Sequence, residues 1–244
     1  MDRLLAATAR AEASHFWFRG FRSFVGPLVA RAVQGVQAPM LLDCGCGTGH
    51  NVAWLAGFGR AAGFDLNWSG LVAGRRAGRR GLARGSVVAA PFQSSRFDVV
   101  TSFDVLYMLD EETERRALDE MRRVLRPGGA LIVNVAAMPV LHGDHSRLST
   151  ERRRYTRPVL RDRLEGAGFE IDTLTHTNAA LFPLMLATRA GQRLKGTRAE
   201  ESDIQMPPRV INEALTAVLR AEAALVQHVT LPVGSSLLAL ARKR

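Results

Sequence analysis

The stretch MLLDCGCGTGHNVAWLA, residues 40–56, decides the fold. It begins with a short apolar run that predicts a buried strand, continues with three glycines within five residues, and ends on the spaced apolar residues of a short helix. Glycines at two-residue spacing allow a sharp turn and a close approach of a ligand to the backbone. In an open parallel sheet, ligands bind at the carboxyl end of such a strand, so we expect a binding site at Gly45, Gly47 and Gly49.

Strands and helices alternate on both sides of this unit. Before it, the apolar spacing of residues 21–34 predicts an amphipathic helix. After it, the pattern predicts strands at 61–66, 97–103, 130–135 and 169–175. The helices predicted between them begin after Asn67, run from Asp110 to Arg126, and run from Thr156 to Ala167. This alternation predicts an α/β fold with a mostly parallel sheet and helices on both faces.

The alternation stops after residue 177. Apolar spacing predicts helices at 178–194 and 208–229, and residues 232–241 predict a final short strand. The second helix carries an apolar stripe that we expect to face the core, formed by Ile211, Leu215, Val218, Leu225 and Val229. We interpret the chain as a single domain of 244 residues. Its parts are an N-terminal helical lid (1–38), a cofactor-binding core (40–177), a helical insertion before the last strand (178–230), and that strand (231–244).

The composition limits the classes of partner. The net charge is +10 at pH 7, which suits a nucleic-acid-binding face. The arginines are spread along the whole chain, however, so solvated surface charge is the preferred interpretation and a polyanion-binding face the alternative. No apolar run approaches the ~20 residues of a membrane helix, and the N-terminus lacks the apolar centre of a secretory signal, so we expect a cytoplasmic protein. Cys44 and Cys46 lack zinc-site spacing, and no metal site is predicted.

Two ligands suit the glycine turn. A dinucleotide fingerprint has the spacing G-x-G-x-x-G, and the helix after it holds a pyrophosphate. Here the spacing is G-x-G-x-G, and Asp43 stands directly before it, where a carboxylate would repel a pyrophosphate. Asp43 suits a cation that carries an amino group and a sulfonium, while Asp65, at the end of the next strand, suits ribose hydroxyls. The residues therefore favour S-adenosylmethionine over a nicotinamide dinucleotide.

The chain resembles the class I S-adenosylmethionine-dependent methyltransferases, and more narrowly small bacterial methyltransferases of type 11. The run from Leu42 to Gly49 looks like their first motif. Further segments match in the right order: Gly63-Phe64-Asp65, Ala90-Pro91-Phe92, Phe97-Asp98-Val99-Val100 and Leu125-Arg126-Pro127-Gly128-Gly129. The segments 15–20, 153–155, 167–169 and 231–234 also look like the narrower group. This resemblance implies a Rossmann-like sheet of seven strands with an antiparallel last strand, and methyl transfer to an oxygen, nitrogen or carbon nucleophile of a small molecule.

The resemblance also implies the residues that contact S-adenosylmethionine. They are Asp43, Gly45, Cys46, Gly47, Gly49, Asp65, Leu66, Ser86, Val87 and Phe103. Arg19 is added from the segment 15–19, which covers the cofactor pocket in similar proteins. One position departs from the family pattern: Ser86 stands where relatives often have an acid that contacts the adenine amino group. That contact is therefore expected to be weaker, or to pass to the backbone of Ser86 and Val87.

The acceptor side is expected after the fourth and fifth strands. Relatives often have a histidine near Val105, and here Tyr107 stands in. His142 and His145 follow the fifth strand and are candidate general bases, with His145 preferred because it lies nearer to the basic run that follows. That run, Arg152 to Arg154 with Tyr155, can hold an anionic acceptor by bidentate contacts, and the alternative is a solvated segment that leads into the next helix. Asp98 and Asp104 are expected to serve structure. A nucleic-acid methyltransferase and a non-catalytic S-adenosylmethionine-binding protein remain the alternatives, and the oligomeric state does not follow from the sequence.

Overall fold

A computed structural model describes residue 8 and residues 11–141, 151–183, 185–186 and 206–244. Its seven strands form one sheet in the order β3-β2-β1-β4-β5-β7-β6. The strands are β1 (Met40–Cys44), β2 (Arg60–Asp65), β3 (Leu82–Arg84), β4 (Phe97–Phe103), β5 (Leu125–Ala136), β6 (Phe169–Thr177) and β7 (Ser236–Lys243). β7 runs antiparallel to β5 and β6, and the pairs among β1 to β5 are parallel. The predicted α/β class, strand number and antiparallel last strand are confirmed.

Six helices of the described residues connect these strands. They are α1 (Phe16–Ala32), α2 (His50–Leu55), α3 (Trp68–Arg76), α4 (Glu111–Val124), α5 (Arg157–Gly166) and α6 (Arg209–Leu225). Two predicted caps are present: the Asn67 side chain accepts a hydrogen bond from the Gly70 amide, and that of Asp110 accepts one from the Thr113 amide. Each cap satisfies a backbone N–H that the first helical turn cannot pair, so these helices begin where the sequence predicts.

The helices cover both faces of the sheet. On one face, α4 and α5 bury residues such as Leu118 and Leu160 against β5 and β7. On the other face, α1 and α6 bury Phe24, Val25 and Leu219. Every helix within the described residues is too short or too polar to cross a membrane.

Of the apolar stripe predicted on α6, Leu215 packs against the core, and the prediction is wrong for the other four residues. Ile211 is 51% exposed, Val218 43% and Leu225 50%. The buried face of α6 consists instead of Asn212, Thr216, Leu219, Glu222 and Ala223. The polar residues of this face form hydrogen bonds with the backbone of neighbouring segments. Asn212 accepts one from the Phe16 amide. Glu222 accepts from the amides of Ala179 and Ala180. Because an unpaired buried amide is costly, these hydrogen bonds override the apolar period of the helix.

Other boundaries differ from the prediction. α1 begins at Phe16 rather than at residue 21, because His15 caps it and its side chain accepts a hydrogen bond from the Trp17 amide. β5 begins at Leu125, since the Pro127-Gly128-Gly129 segment continues the strand after α4. Of the helix predicted at 178–194, residues 184 and 187–194 lie outside the described residues.

Candidate active site

The glycine turn lies between β1 and α2. Gly45, Gly47 and Gly49 have φ angles of +82°, +55° and +77°, in the left-handed region that residues with a Cβ rarely adopt. The amides of Gly45 and Cys46 both donate hydrogen bonds to the Phe64 carbonyl, which ties the turn to β2. A Cβ at Gly45 would overlap the Val105 side chain, which follows β4. The turn therefore depends on glycine, and it lies between the carboxyl ends of β2 and β4.

The Asp65 carboxylate, at the end of β2, holds the turn. Its Oδ2 accepts a hydrogen bond from the Gly47 amide at 2.7 Å, and its Oδ1 accepts one from the Asn67 amide at 2.7 Å. A carboxylate has about four acceptor positions, so each oxygen can accept a second donor such as a hydroxyl. Leu66, the next residue, is 65% exposed, and it offers an apolar surface directly beside the carboxylate.

Asp43, at the end of β1, is a buried carboxyl group. Its side chain is 1% exposed and accepts a hydrogen bond from the Thr101 hydroxyl at 2.7 Å. Burial raises the pKa of Asp43 to about 7, the Thr101 hydrogen bond opposes that shift, and the nearby negative charge of Asp65 adds to it. A cation bound at the turn would favour the ionised carboxylate, so Asp43 is suited to a positively charged ligand.

The two cysteines beside the turn are buried, free thiols. Burial and the charge of Asp43 raise the pKa of both Cys44 and Cys46, so neither is a reactive thiolate near neutral pH. The side chain of Cys46 packs against Gly63 of β2, where an added Cβ would crowd it. Because its side chain is occupied in this way, Cys46 can contact a ligand only through its backbone groups.

Three other predicted cofactor contacts have local partners. Ser86 and Val87, shortly after β3, are half-buried, and the Ser86 hydroxyl accepts a hydrogen bond from the Val88 amide at 3.4 Å. Phe103 is 8% exposed and packs edge-on against Phe21 of α1, with ring centroids 4.9 Å apart. Phe103 thus joins the end of β4 to the helix that covers this face.

Arg19 was predicted to contact the cofactor, and the structure gives it another partner. Its two terminal nitrogens donate hydrogen bonds to the Glu213 carboxylate at 2.5 and 3.0 Å. This bidentate pair fastens α1 to α6, so Arg19 serves to hold the helical cover in place.

The glycine turn also contacts the segment before α1. The Glu12 carboxylate is buried and accepts hydrogen bonds from the Thr48 hydroxyl at 2.7 and 2.9 Å. Arg79, after α3, donates to the Thr48 carbonyl at 3.0 Å and to Glu12 at 3.2 Å. These contacts anchor the N-terminal segment on the turn. No sequence signal pointed to them, because Glu12 lies 36 residues before Thr48 in an ordinary polar stretch.

Asp104 is a further candidate that the sequence did not single out for chemistry. It follows β4, and its φ is +60°. Burial of the carboxylate, with the negative charge of Glu151, raises the pKa of Asp104 to about 6, and the hydrogen bond that the Asn134 amide donates to it at 2.9 Å opposes that shift. Since Val105 contacts Gly45, this carboxylate lies beside the glycine turn. Asp98, in contrast, has the structural role expected of it: it accepts from the Met40 amide and pairs with Arg126.

Tyr107 lies in a 3-10 turn, Leu106–Met108, after β4. Burial, with the negative charges of Asp104 and Glu151, raises the pKa of Tyr107 well above its ordinary value. The phenol is therefore neutral near pH 7, where it can form hydrogen bonds but cannot act as a strong base. His142 and His145 lie outside the described residues.

Most of the basic run after β5 pairs with buried carboxylates. Arg153 donates to Glu114 at 3.1 Å, and the Tyr155 hydroxyl donates to the same carboxylate at 2.8 Å. Arg154 Nε lies 2.6 Å from Glu151 Oε1. Arg153, Arg154 and Tyr155 thus each have a carboxylate partner within the protein, which counts against the prediction that they hold an anionic acceptor. Arg152 is the exposed member of the run.

Comparisons with known proteins agree with this geometry. Residues 42–133 match a methyltransferase domain family. The chain is similar to a malonyl-[acyl-carrier protein] O-methyltransferase of Herminiimonas arsenicoxydans, with 31% identity over 179 residues, which are 69% of this chain and 66% of that protein. It is also similar to a demethylmenaquinone methyltransferase of Clavibacter sepedonicus, with 36% identity over 109 residues, or 42% of this chain and 43% of that protein. The matches thus span less than two thirds of either relative.

A solved structure extends the likeness of fold to the whole chain. It is the phosphoethanolamine N-methyltransferase 2 of Haemonchus contortus in complex with S-adenosyl-L-methionine. The TM-score is 0.63 at 15% identity, and the alignment covers 100% of this chain and 57% of that one. At this identity the likeness concerns the fold.

Proposed function

We propose that the chain is a class I S-adenosylmethionine-dependent methyltransferase that transfers a methyl group to a small-molecule acceptor, because residues 42–133 match a methyltransferase domain family and the relatives are named as methyltransferases. The observation that carries the proposal is the left-handed glycine turn with a carboxyl group on either side, Asp43 at the end of β1 and Asp65 at the end of β2. This arrangement combines close backbone approach with acids suited to an amino group and to ribose hydroxyls.

The described residues fit this cofactor. Asp65 has acceptor positions left for hydroxyl groups, the exposed Leu66 beside it offers a face for a base, and the buried Asp43 favours a cation. When bound, S-adenosylmethionine supplies a methyl group that its sulfonium already activates. The main contribution of the protein is then to hold donor and acceptor in line, which can account for several kcal/mol of a reaction barrier, roughly 7–11 in the best-oriented cases.

The acceptor side is proposed at the carboxyl ends of β4 and β5. We keep His145 as the proposed general base, with His142 as a weaker candidate, and assign Tyr107 a hydrogen-bonding role toward the acceptor. The carboxylate of Asp104 is the alternative base, since it follows β4 next to Val105, which contacts the glycine turn, and burial raises its pKa to about 6. A base is needed only where the nucleophile must lose its proton early in the reaction.

A small-molecule acceptor is favoured over nucleic acid. The two relatives named above are named for acceptors other than DNA or RNA. Several arginines are also paired with carboxylates within the protein, among them Arg19, Arg123, Arg126 and Arg153.

The test of the function combines binding and transfer. Calorimetry with S-adenosylhomocysteine should give one site per chain. Radiolabelled S-adenosylmethionine should then pass its methyl group to a member of a panel of sugars, phenols and carboxylic acids. Binding without transfer to any acceptor would favour a non-catalytic binding protein, and absence of binding would contradict the proposal.

Bulk RNA and DNA should not accept the methyl group. Any binding of these polymers should rest on released counterions, so it should fall steeply as salt rises and be weak near physiological salt. Filter binding across a salt series and radiolabel incorporation measure the two effects. Methyl transfer to either polymer at high salt would contradict the small-molecule acceptor.

Asp65→Ala should weaken S-adenosylhomocysteine binding by roughly 2–4 kcal/mol, because it removes hydrogen bonds to a charged group. The same change also removes the acceptor for the amides of Gly47 and Asn67, so the turn itself is affected. A deoxyribose analogue of the ligand separates the two effects. Calorimetry should show that Asp65→Ala weakens binding of the analogue less than it weakens binding of S-adenosylhomocysteine, and the loss that remains for the analogue reports the effect on the turn. Equal discrimination against the analogue in both proteins would mean that another residue contacts the ribose.

The affinity for S-adenosylhomocysteine should rise with pH through about 7, where Asp43 titrates. Below that pH the buried carboxyl is largely neutral, and binding of the ligand's ammonium group must expel its proton. Binding should therefore tighten by up to tenfold per pH unit until the free carboxyl has ionised, and then level off. Calorimetry from about pH 5.5 to about pH 8.5 measures the slope, and Asp43→Asn should flatten it. A slope that persists in Asp43→Asn would assign the titration to another group.

A further inference from the structure

A cleft lies at the free edge of the sheet, away from the glycine turn. It has a volume of about 330 Å³ and lies beside the middle of β6, between the end of α1, the start of α5 and the segment that follows α6. β6 is an edge strand, four strands away from β1 in the sheet. At the usual strand spacing that is roughly 19 Å, so this cleft is separate from the proposed cofactor site.

The polar groups that line the cleft are mostly hydrogen-bond donors. Guanidinium groups come from three positions: Arg31 at the end of α1, and Arg157 and Arg161 on α5. The lining also includes the side chains of Gln227 and His228. The carboxylate in the lining, Asp172, already pairs with Arg242 at 3.0 Å. The cleft therefore carries an excess of positive charge.

Two of these guanidinium groups have only neutral partners among the described residues. Arg31 donates to the Thr173 hydroxyl at 2.5 Å, and Arg157 donates to the carbonyls of Leu174 and Leu231 at 3.0 and 3.4 Å. Arg161 pairs with Glu165, but that pair is half-exposed and screened by solvent. The Nε of Arg157 is buried without an acceptor in the described part of the chain. A buried donor with no acceptor is costly, so the protein alone does not fully satisfy the guanidinium group of Arg157.

The position of Arg157 adds to this imbalance. It is the first residue of α5, whose first turn contains no acidic residue. A helix N-terminus carries partial positive charge, so a cation there is unfavourable. An anion in the cleft would face this helix end and the guanidinium groups together.

We propose that this cleft is a binding site for a small molecule that bears a phosphate group. A phosphate ester carries a charge of about −1.5 to −2 with three acceptor oxygens, which matches several converging guanidinium groups better than a single carboxylate does. The volume lies at the lower end of the range for small-ligand sites. This inference does not depend on the proposed methyl transfer, because it rests on different residues at a different part of the sheet.

The test uses inorganic phosphate and pyrophosphate on the whole chain, at constant ionic strength maintained with chloride. Calorimetry should give one site for pyrophosphate. Arg31→Gln should weaken that binding by about tenfold or more, the loss expected for a hydrogen bond to a charged group. The double variant Arg31→Gln with Arg157→Gln should abolish it. Arg76→Gln is the matched control, because Arg76 is an exposed arginine on α3, outside the cleft lining.

Arg31 is exposed, so Arg31→Gln should keep the fold even if the double variant does not. Its affinity for S-adenosylhomocysteine should equal that of the wild type, which separates this site from the proposed active site. If Arg31→Gln and Arg76→Gln weaken pyrophosphate binding equally, the binding depends on the overall surface charge and not on the cleft. That result would overturn the proposal. A short oligonucleotide that binds more tightly than pyrophosphate, with the same dependence on Arg31, would assign the surface to nucleic acid and would overturn it as well.

Discussion

Gly47→Val should reduce the affinity for S-adenosylhomocysteine by at least about 100-fold, which corresponds to about 2.7 kcal/mol. Gly47 has a φ of +55°, and its amide donates to Asp65. A β-branched residue is strained at such a φ, so the turn must change shape and the contact with Asp65 is lost. The added side chain also occupies space that the ligand needs for its approach to the backbone. Calorimetry on the folded variant measures the loss.

Gly35→Val is the matched control for this variant. Gly35 has a φ of +77° in the connection between α1 and β1, and no atom lies within 4 Å of the position that its Cβ would take. This substitution brings a comparable backbone strain without touching the glycine turn. It should lower the free energy of unfolding and leave the affinity for the ligand unchanged. A folded Gly47→Val variant with wild-type affinity would show that the turn does not touch the cofactor.

Features that depend on a few neighbouring residues could be predicted from the sequence. The strand, glycine turn and helix at 40–55 follow from apolar spacing and from glycines that must accept positive φ. The caps Asn67 and Asp110 are local hydrogen bonds within one helical turn, so residue type and position suffice to identify them. The order of these elements, together with the family resemblance, predicts the seven-stranded sheet that the structure has.

Features that depend on pairing across the chain could not be predicted. Glu114 accepts hydrogen bonds from Tyr155 and Arg153, about forty residues away, and this pairing counts against a role for either on the acceptor side. In the same way, the buried face of α6 is decided by the Ala179 amide, which needs an acceptor, and by the Ser14 carbonyl, which needs a donor. Periodicity reports which side chains are apolar, but it does not report which distant polar group needs a partner.

His145→Ala should lower turnover by about 10²–10⁴ once an acceptor is known, and it should leave the affinity for S-adenosylhomocysteine intact. The reason is that an imidazole with a pKa near ~6.5 is neutral at physiological pH and can accept a proton from the acceptor. His142→Ala is the matched control, with the same substitution three residues away, and it should have the smaller effect. Steady-state rates and ligand affinities of both variants provide the comparison.

The pH dependence of the rate separates His145 from Asp104. Either group must be unprotonated to act as a base, so kcat/KM should rise with pH and level off above the pKa of the base. Because Asp104 has a pKa of about 6, a carboxylate base would produce its own acid limb there. Asp104→Asn keeps the shape of the side chain but cannot titrate. If His145 is the base, Asp104→Asn retains the acid limb and His145→Ala loses it. The opposite result would transfer the role to Asp104, and full activity in both variants would mean that positioning alone accelerates the transfer.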